Sequence, residues 1–405
     1  MHDSSPRGSR PRDRRAQLAS VAAGLFRERG YHGVAINDIA GAAGITGPAL
    51  YRHFTDKQAI LAHVLLGGLD DMVTATRQAL EQSHEPAEER VRTLLTSLAG
   101  LAVERREVSA LWRWEGPNLG PSGAAQIRER SSGLLESWTT TLRTLRPELE
   151  QSDAELLCWA ALSVLGSVAV HRTSVAKRRF EQRLARLASR ALHTNLPERS
   201  CAPGDDGAAR RRIGIAGRRE QLLTAATELF SEHGYQPVSM EDIGSAAGIA
   251  GPSVYRHFSS KAALLAAICQ RAADRLTADA EHALHTNEPS DETEGLRRLI
   301  ESYVHTLTGS AELAVSFSTA PRHIASRDQA ELTRVQRDYV EQWVHLYGTM
   351  RPELSRQEAK ITVHAALTVA NDLSRTRRIS TRPRLRRELV AVMCAVLDIS
   401  PPTVA

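Results

Sequence analysis

Two stretches decide how this chain is read: TGPALYRHFTDK from Thr46 to Lys57, and AGPSVYRHFSSK from Ala250 to Lys261, 204 positions later. Each lies inside a longer matching run, Arg14 to Val64 and Arg218 to Ile268, in which Phe26 pairs with Phe230, Tyr31 with Tyr235, Asp38 with Asp242 and Gly44 with Gly248. A repeat of this length means one module used twice.

The module is legible locally. Leu18, Val21, Ala22, Leu25 and Phe26 recur at helical spacing, and Gly30 closes that helix with a residue that tolerates positive φ. A second, short helix runs through Asp38, Ile39 and Ala43, and Gly44-Ile45 follows as a tight turn. Thr46 reads as an N-cap for a third helix opened by Gly47-Pro48 and ending near Phe54. Thr55 to Gln58 then reads as a capping box. Helix, short helix, glycine turn and a short helix carrying Tyr, Arg and His make a helix-turn-helix, whose second element lies in the DNA major groove.

The run FRERGYHGVAINDIAGAAGITGPALYRHFTDKQAIL resembles the N-terminal domain of TetR/AcrR-type bacterial repressors, and FSEHGYQPVSMEDIGSAAGIAGPSVYRHFSSKAALL resembles a second. The resemblance implies that an all-helical ligand-binding and dimerisation domain follows each reading domain. It also implies that the last two long helices of each unit pack with a partner's into a four-helix interface. Beyond the readers, Leu145-Arg146-Pro147-Glu148-Leu149 is echoed by Met350-Arg351-Pro352-Glu353-Leu354, and Trp138 by Trp343, at an offset of 205. The duplication therefore spans the whole regulator. The expected fold class is all-α: two TetR-like units in tandem, forming an internal pseudo-dimer. The expected divisions are a flexible basic arm (1–13), a first helix-turn-helix domain (14–62), a first helical regulatory domain (63–195), a linker (196–217), a second helix-turn-helix domain (218–266) and a second regulatory domain (267–397).

At 405 residues the chain is long enough for more than one core. Its net charge of +5 permits a polyanionic partner without demanding one. The basic residues are 48 Arg and only four Lys, and Lys57 and Lys261 fall at equivalent places just after the recognition helices. A compact ammonium suits a phosphate contact there; coincidence in an Arg-biased sequence is the plainer reading. Arg7, Arg10, Arg12, Arg14 and Arg15 either lie along phosphates or form a solvated tail. Cys158, Cys201, Cys269 and Cys394 have no metal-site or redox spacing, which points to a reduced, cytoplasmic protein. No apolar run suggests a membrane span, and no motif suggests a cofactor or an enzyme.

The candidate DNA-binding residues are Thr46, Gly47, Ala49, Tyr51, Arg52, His53 and Lys57, and in the second copy Ala250, Gly251, Ser253, Tyr255, Arg256, His257 and Lys261. Tyr and Lys donate to phosphates, whereas Arg and His serve either phosphates or guanine acceptors. The copies differ: Thr46 becomes Ala250, losing a hydroxyl, and Ala49 becomes Ser253, gaining one. Two related but unequal half-sites are expected.

Candidate effector-lining residues are Trp112, Arg113, Trp114, Trp138 and Trp159 in the first body, and Phe317, His323, Tyr339 and Trp343 in the second. Arg113 could hold an anionic head; for any one aromatic, ordinary core packing is the more common explanation. His282 and His285 beside Glu281 read as a wet helix face, and the arginines from Arg375 to Arg387 as a solvated loop.

The function these features imply is a sequence-specific double-stranded DNA-binding transcriptional regulator. It would act as a repressor released by a small-molecule, hydrophobic or acyl-type effector, working in the bacterial cytoplasm and on the nucleoid when bound. One chain would act as a single-chain pseudo-dimer, with higher oligomers on DNA left open. The alternative is a ligand-binding or protein-interaction module without specific DNA binding.

Overall fold

A computed structural model describes residues 11–80, 85–173, 175–198, 217–285, 291–324 and 326–400. The arm up to residue 10, most of the expected linker and the side chains of Trp114 and His323 lie outside the described residues. The chain divides into two compact units, Met1–Leu192 and His193–Ala405. Among the described residues all regular structure is helical.

The first unit runs α1 (Pro11–Arg29), α2 (Ile36–Ala42), α3 (Gly47–Tyr51), α4 (Lys57–Leu80), α5 (Ala87–Glu104), α6 (Arg106–Glu115), α7 (Pro121–Leu145), α8 (Gln151–Gly166) and α9 (Lys177–Leu192). The second runs α10 (Arg218–His233), α11 (Met240–Ala246), α12 (Gly251–Val254), α13 (Lys261–Leu284), α14 (Glu292–Gly309), α15 (Ala311–His323), α16 (Ser326–Met350), α17 (Arg356–Arg375), α18 (Arg377–Ser380) and α19 (Leu385–Leu397). The plan of the first unit recurs in the second, with α18 added between the last two long helices.

In each unit the three reading helices close over the start of the long fourth helix. Leu18, Phe26, Ile39, Leu50, Phe54, Leu61 and Leu65 form one buried cluster, and Leu111 of α6 and Ile127 of α7 complete it. The second cluster likewise joins Leu222, Phe230, Ile243, Val254 and Leu265 to Val315 and Ile324. Each such side chain contributes roughly 1.5–3 kcal/mol on burial, so reader and body share a core rather than a hinge.

Several local expectations are corrected. α1 begins at Pro11, ahead of the expected start at Arg14, and Arg14 and Arg15 belong to the fold rather than to an arm. Arg14 donates to Gln17 and to the carbonyl of Ala43, and the Arg15 guanidinium lies 4.9 Å over the Phe54 ring. Arg219 repeats this over Phe258, also at 4.9 Å. Trp112 to Glu115 form the last turn of α6, ahead of the Gly-Pro segment. Contrary to the expectation of no apolar span, α4 and α8 are long and apolar enough to cross a membrane by length and composition. In the folded unit α8 buries Leu156, Leu157, Ala160, Ala161 and Val164. The α4 carboxylates Asp70 and Asp71 pair with Arg130 and Arg105.

Candidate nucleic-acid interface

The reading helix is positioned by the turn before it. Gly44 and Gly248 take φ values of +67° and +66°, a conformation that costs a side-chain-bearing residue about 1 kcal/mol or more. Ile45 and Ile249 can then donate their N–H groups back to the carbonyls of Ala40 and Gly244, at 2.9 and 2.8 Å. The third helix is one turn long. Phe54 and Phe258 donate to the carbonyls of Leu50 and Val254, so the Tyr-Arg-His run wraps the end of that turn.

Leu50, Phe54, Val254 and Phe258 point inward and are buried, as expected of the small core. Outward, Tyr51 is 56 % exposed and Tyr255 50 % exposed, an unusual state for so large a ring, and Arg52 and Arg256 are exposed beside them. His257 is exposed and His53 half-buried. Thr46 and Ala250 are exposed, whereas Gly47, Ala49, Gly251 and Ser253 are half-buried. Each copy therefore offers one face carrying a phenol, a guanidinium and an imidazole.

Two capping expectations fail here. Thr46 occupies the N-cap position, but its hydroxyl makes no capping bond. α4 is capped by Asp56, whose Oδ1 accepts from the N–H of Ala59 at 2.7 Å; Ser260 caps α13 at 3.1 Å from Ala263. In the second copy, Ser239 caps α11, accepting from the N–H of Asp242 at 3.0 Å.

Lys57 and Lys261 are assigned elsewhere by the structure. The Lys57 ammonium donates to the carbonyls of Tyr31 and Val34, both at 2.8 Å, and lies 4.2 Å from the Tyr31 ring centre. Lys261 donates to the carbonyls of Tyr235, Gln236 and Val238 at 2.9, 3.1 and 2.7 Å, and lies 4.4 Å from the Tyr235 ring. Each ammonium thus ties down the loop between the first two reading helices. Burial lowers both lysine pKa values and raises those of Tyr31 and Tyr235. The ammonium protons go to backbone carbonyls, two of the three at Lys57 and three at Lys261, which gives both residues a structural role within the reader. Lys rather than Arg stands there because a three-proton point charge fits the ring of carbonyls and a planar fork does not.

Sequence reasoning missed the junction between reader and body. Glu115, at the end of α6, is buried; it accepts from the Tyr31 N–H at 3.4 Å and from Asn118 Nδ2 at 2.6 Å. Asn118 in turn meets His32 Nε2 at 2.9 Å. In the second unit the reader is tied differently: Arg271 of α13 bridges Glu220 of α10 at 2.6 Å and Glu312 of α15 at 3.0 Å.

The two candidate effector sites also diverge. Trp138 is core: its Nε1 donates to the buried Thr76 hydroxyl at 3.0 Å. Trp112 is 39 % exposed and Trp159 half-buried, and the described residues show no ring contact among Trp112, Trp138 and Trp159. Arg113 is half-buried on α6. In the second unit Tyr303, Tyr339 and Trp343 do meet, with ring centres 5.7–6.3 Å apart. The Tyr303 hydroxyl donates to Asn371 Oδ1 at 2.8 Å, and Arg375 donates to the carbonyls of Asn371 and Phe317. Trp343 is fully buried. Burial pushes the Tyr303 and Tyr339 phenols up. Burial also pushes the Cys158 and Cys394 thiols up to about 12 and Cys269 up to about 11, leaving three inert core cysteines.

A paired-helix reading module built twice on all-helical bodies defines the class: a tandem helix-turn-helix protein. The family described as bacterial regulatory proteins, tetR family, matches residues 18–64 and again residues 222–268. The DNA-binding domain of that family therefore occurs twice in this chain, in tandem. It is similar to the HTH-type transcriptional activator FasR of Mycolicibacterium smegmatis, 38 % identical over 27 % of this chain and 50 % of that protein. It is also similar to the HTH-type transcriptional repressor KstR2 of Rhodococcus jostii, 43 % identical over 16 % of this chain and 32 % of that one. The chain thus spans half or less of the length of these two relatives. A TetR-family transcriptional regulator from Bordetella parapertussis, solved by crystallography, is 21 % identical over 43 % of this chain and 93 % of that one, with a TM-score of 0.40.

Proposed function

We propose that this protein is a sequence-specific, double-stranded DNA-binding transcriptional repressor released by a small apolar effector. The observation that carries the reading is the pair of exposed phenols, Tyr51 and Tyr255, each followed by Arg and His at the end of a one-turn helix. Folding gains nothing from leaving a large ring in water, whereas a phosphate or base edge gains a donor and a stacking surface. The relatives' names, an activator and a repressor, agree with regulation. The partner places the protein in the cytoplasm, on the nucleoid when bound.

One polypeptide supplies both readers in this reading, acting as a single-chain pseudo-dimer on two related half-sites in successive major grooves, about 34–36 Å apart. The duplication of the whole unit supports it.

The effector site belongs to the second unit, where the Tyr303, Tyr339 and Trp343 rings cluster. An apolar molecule suits those aromatic side chains. Release needs only that the effector bind the DNA-incompetent arrangement more tightly. The test is a gel-shift titration over a salt series, using operator selected from random duplex. A steep salt slope with a preference for paired half-sites is expected. A steep slope without sequence preference would leave the alternative, a binding module without specific DNA, in its place.

A further inference from the structure

The second unit has a groove that the regulator reading does not use. It is a concavity of 780 Å³ between the end of α13, the middle of α14 and the start of α19. Arg298, Arg386 and Arg387 line it together with His282, His285 and His305. Two carboxylates also reach it, but both are engaged: Glu301 accepts from Arg297 at 2.9 Å, and Asp279 accepts from the Thr306 hydroxyl at 2.6 Å. The arginines are less committed. Arg386 donates only to the Thr308 hydroxyl, at 3.3 Å, and Arg387 has no ion-pair partner among the described residues. Arg298 pairs with Glu294, yet its Nη1 is buried without a hydrogen bond. Ala283, Val390 and Ala391 supply an apolar floor.

The duplication provides a control inside the molecule. By the helix registers, Arg298 corresponds to Thr93, His305 to Gly100, His282 to Gln78, Arg386 to Glu181 and Arg387 to Gln182. None of this chemistry is needed to build the body, since the first unit folds on the same plan without it.

We propose that this groove binds a small phosphorylated metabolite, a phosphomonoester or diphosphate, as a second effector separate from the aromatic cluster. One guanidinium satisfies a carboxylate. Three guanidiniums with three imidazoles around one hollow match the two or three charges and the many acceptor oxygens of phosphate groups. A volume of 780 Å³ suits a small molecule, and a concave wall excludes the convex backbone of duplex DNA.

The test is isothermal titration calorimetry of the full chain with inorganic pyrophosphate, and with citrate as a polyanion lacking phosphate. Saturable 1:1 binding of pyrophosphate is expected. It should weaken at least tenfold in Arg387→Gln, which breaks no ion pair among the described residues, and further in the R386Q/R387Q pair. Arg377→Gln, on an exposed turn outside the groove, should bind as the unaltered chain does. The proposal is overturned by the absence of saturable heat, by an equal loss in Arg377→Gln, or by citrate binding as tightly as pyrophosphate. The chain carrying Tyr51→Ala and Tyr255→Ala should still bind pyrophosphate, so failure here and failure of DNA recognition read out separately.

Discussion

The ammonium groups of Lys57 and Lys261 each hold two or three carbonyls in the loop that follows the first reading helix. Removing one by Lys57→Met leaves half-buried carbonyls unpaired, and a loss of about 1–3 kcal/mol is expected in denaturant unfolding. Lys57→Arg should recover only part of it, because a planar fork cannot point at both acceptors. Caps give a sharper contrast. Ser239→Ala should cost about 1 kcal/mol of stability, whereas Thr46→Ala, whose hydroxyl caps nothing, should leave the melting curve unchanged. Tyr51→Ala and Tyr255→Ala remove exposed rings, so DNA affinity should fall at least tenfold with little change in stability. At this scale the sequence showed which positions mattered more reliably than why. A repeated lysine in an arginine-rich chain marks a site, but phosphate and carbonyl oxygens both attract an ammonium, and only the fold distinguishes them.

Among the helices, α17 carries a built-in response to acid. His364 is mostly buried one turn from Lys360; desolvation first, then that ammonium, lowers its pKa to about 4 from an ordinary value near 6.5. The unfolded chain takes up the proton before the folded chain does. The stability linked to His364 is therefore complete above pH 6.5 and is lost as the pH falls from 6.5 to 4. It amounts to roughly 3 kcal/mol over the whole interval. Unfolding midpoints measured between pH 7 and 4.5 should decline in the unaltered chain, and the decline should be shallower in His364→Gln. The helices themselves were legible from periodicity and punctuation: Gly30, Gly44 and Pro48 mark boundaries that appear where expected. The arginine-rich stretch before α19 was not. Read as a solvated loop, it in fact holds Arg382 and Arg384 against the fully buried Glu388, at 2.7 and 3.3 Å. One carboxylate inside an apolar helix decides that local structure, and its partners lie in a loop that no periodicity describes.

For the whole molecule, duplication set the plan and divergence set the uses. Both readers keep the same Tyr-Arg-His face, while the bodies part company. The first ties its reader through Glu115 and the second through Arg271, and among the described residues only the second gathers Tyr and Trp rings of its body into a cluster. The repeat made the two-unit organisation readable from residue letters alone. Neither the junctions nor the groove was readable, since both combine residues distant in sequence on helices whose registers the letters leave open. The central proposal, that one polypeptide does with two readers what a pair of subunits would otherwise do, is tested most directly by the mass of the complex on a selected operator. Native mass spectrometry should show one chain of 44.4 kDa per duplex. That complex should be lost when either Tyr51-Arg52 or Tyr255-Arg256 is replaced by Ala-Ala. Two chains per duplex, or undiminished binding with one reader erased, would contradict it.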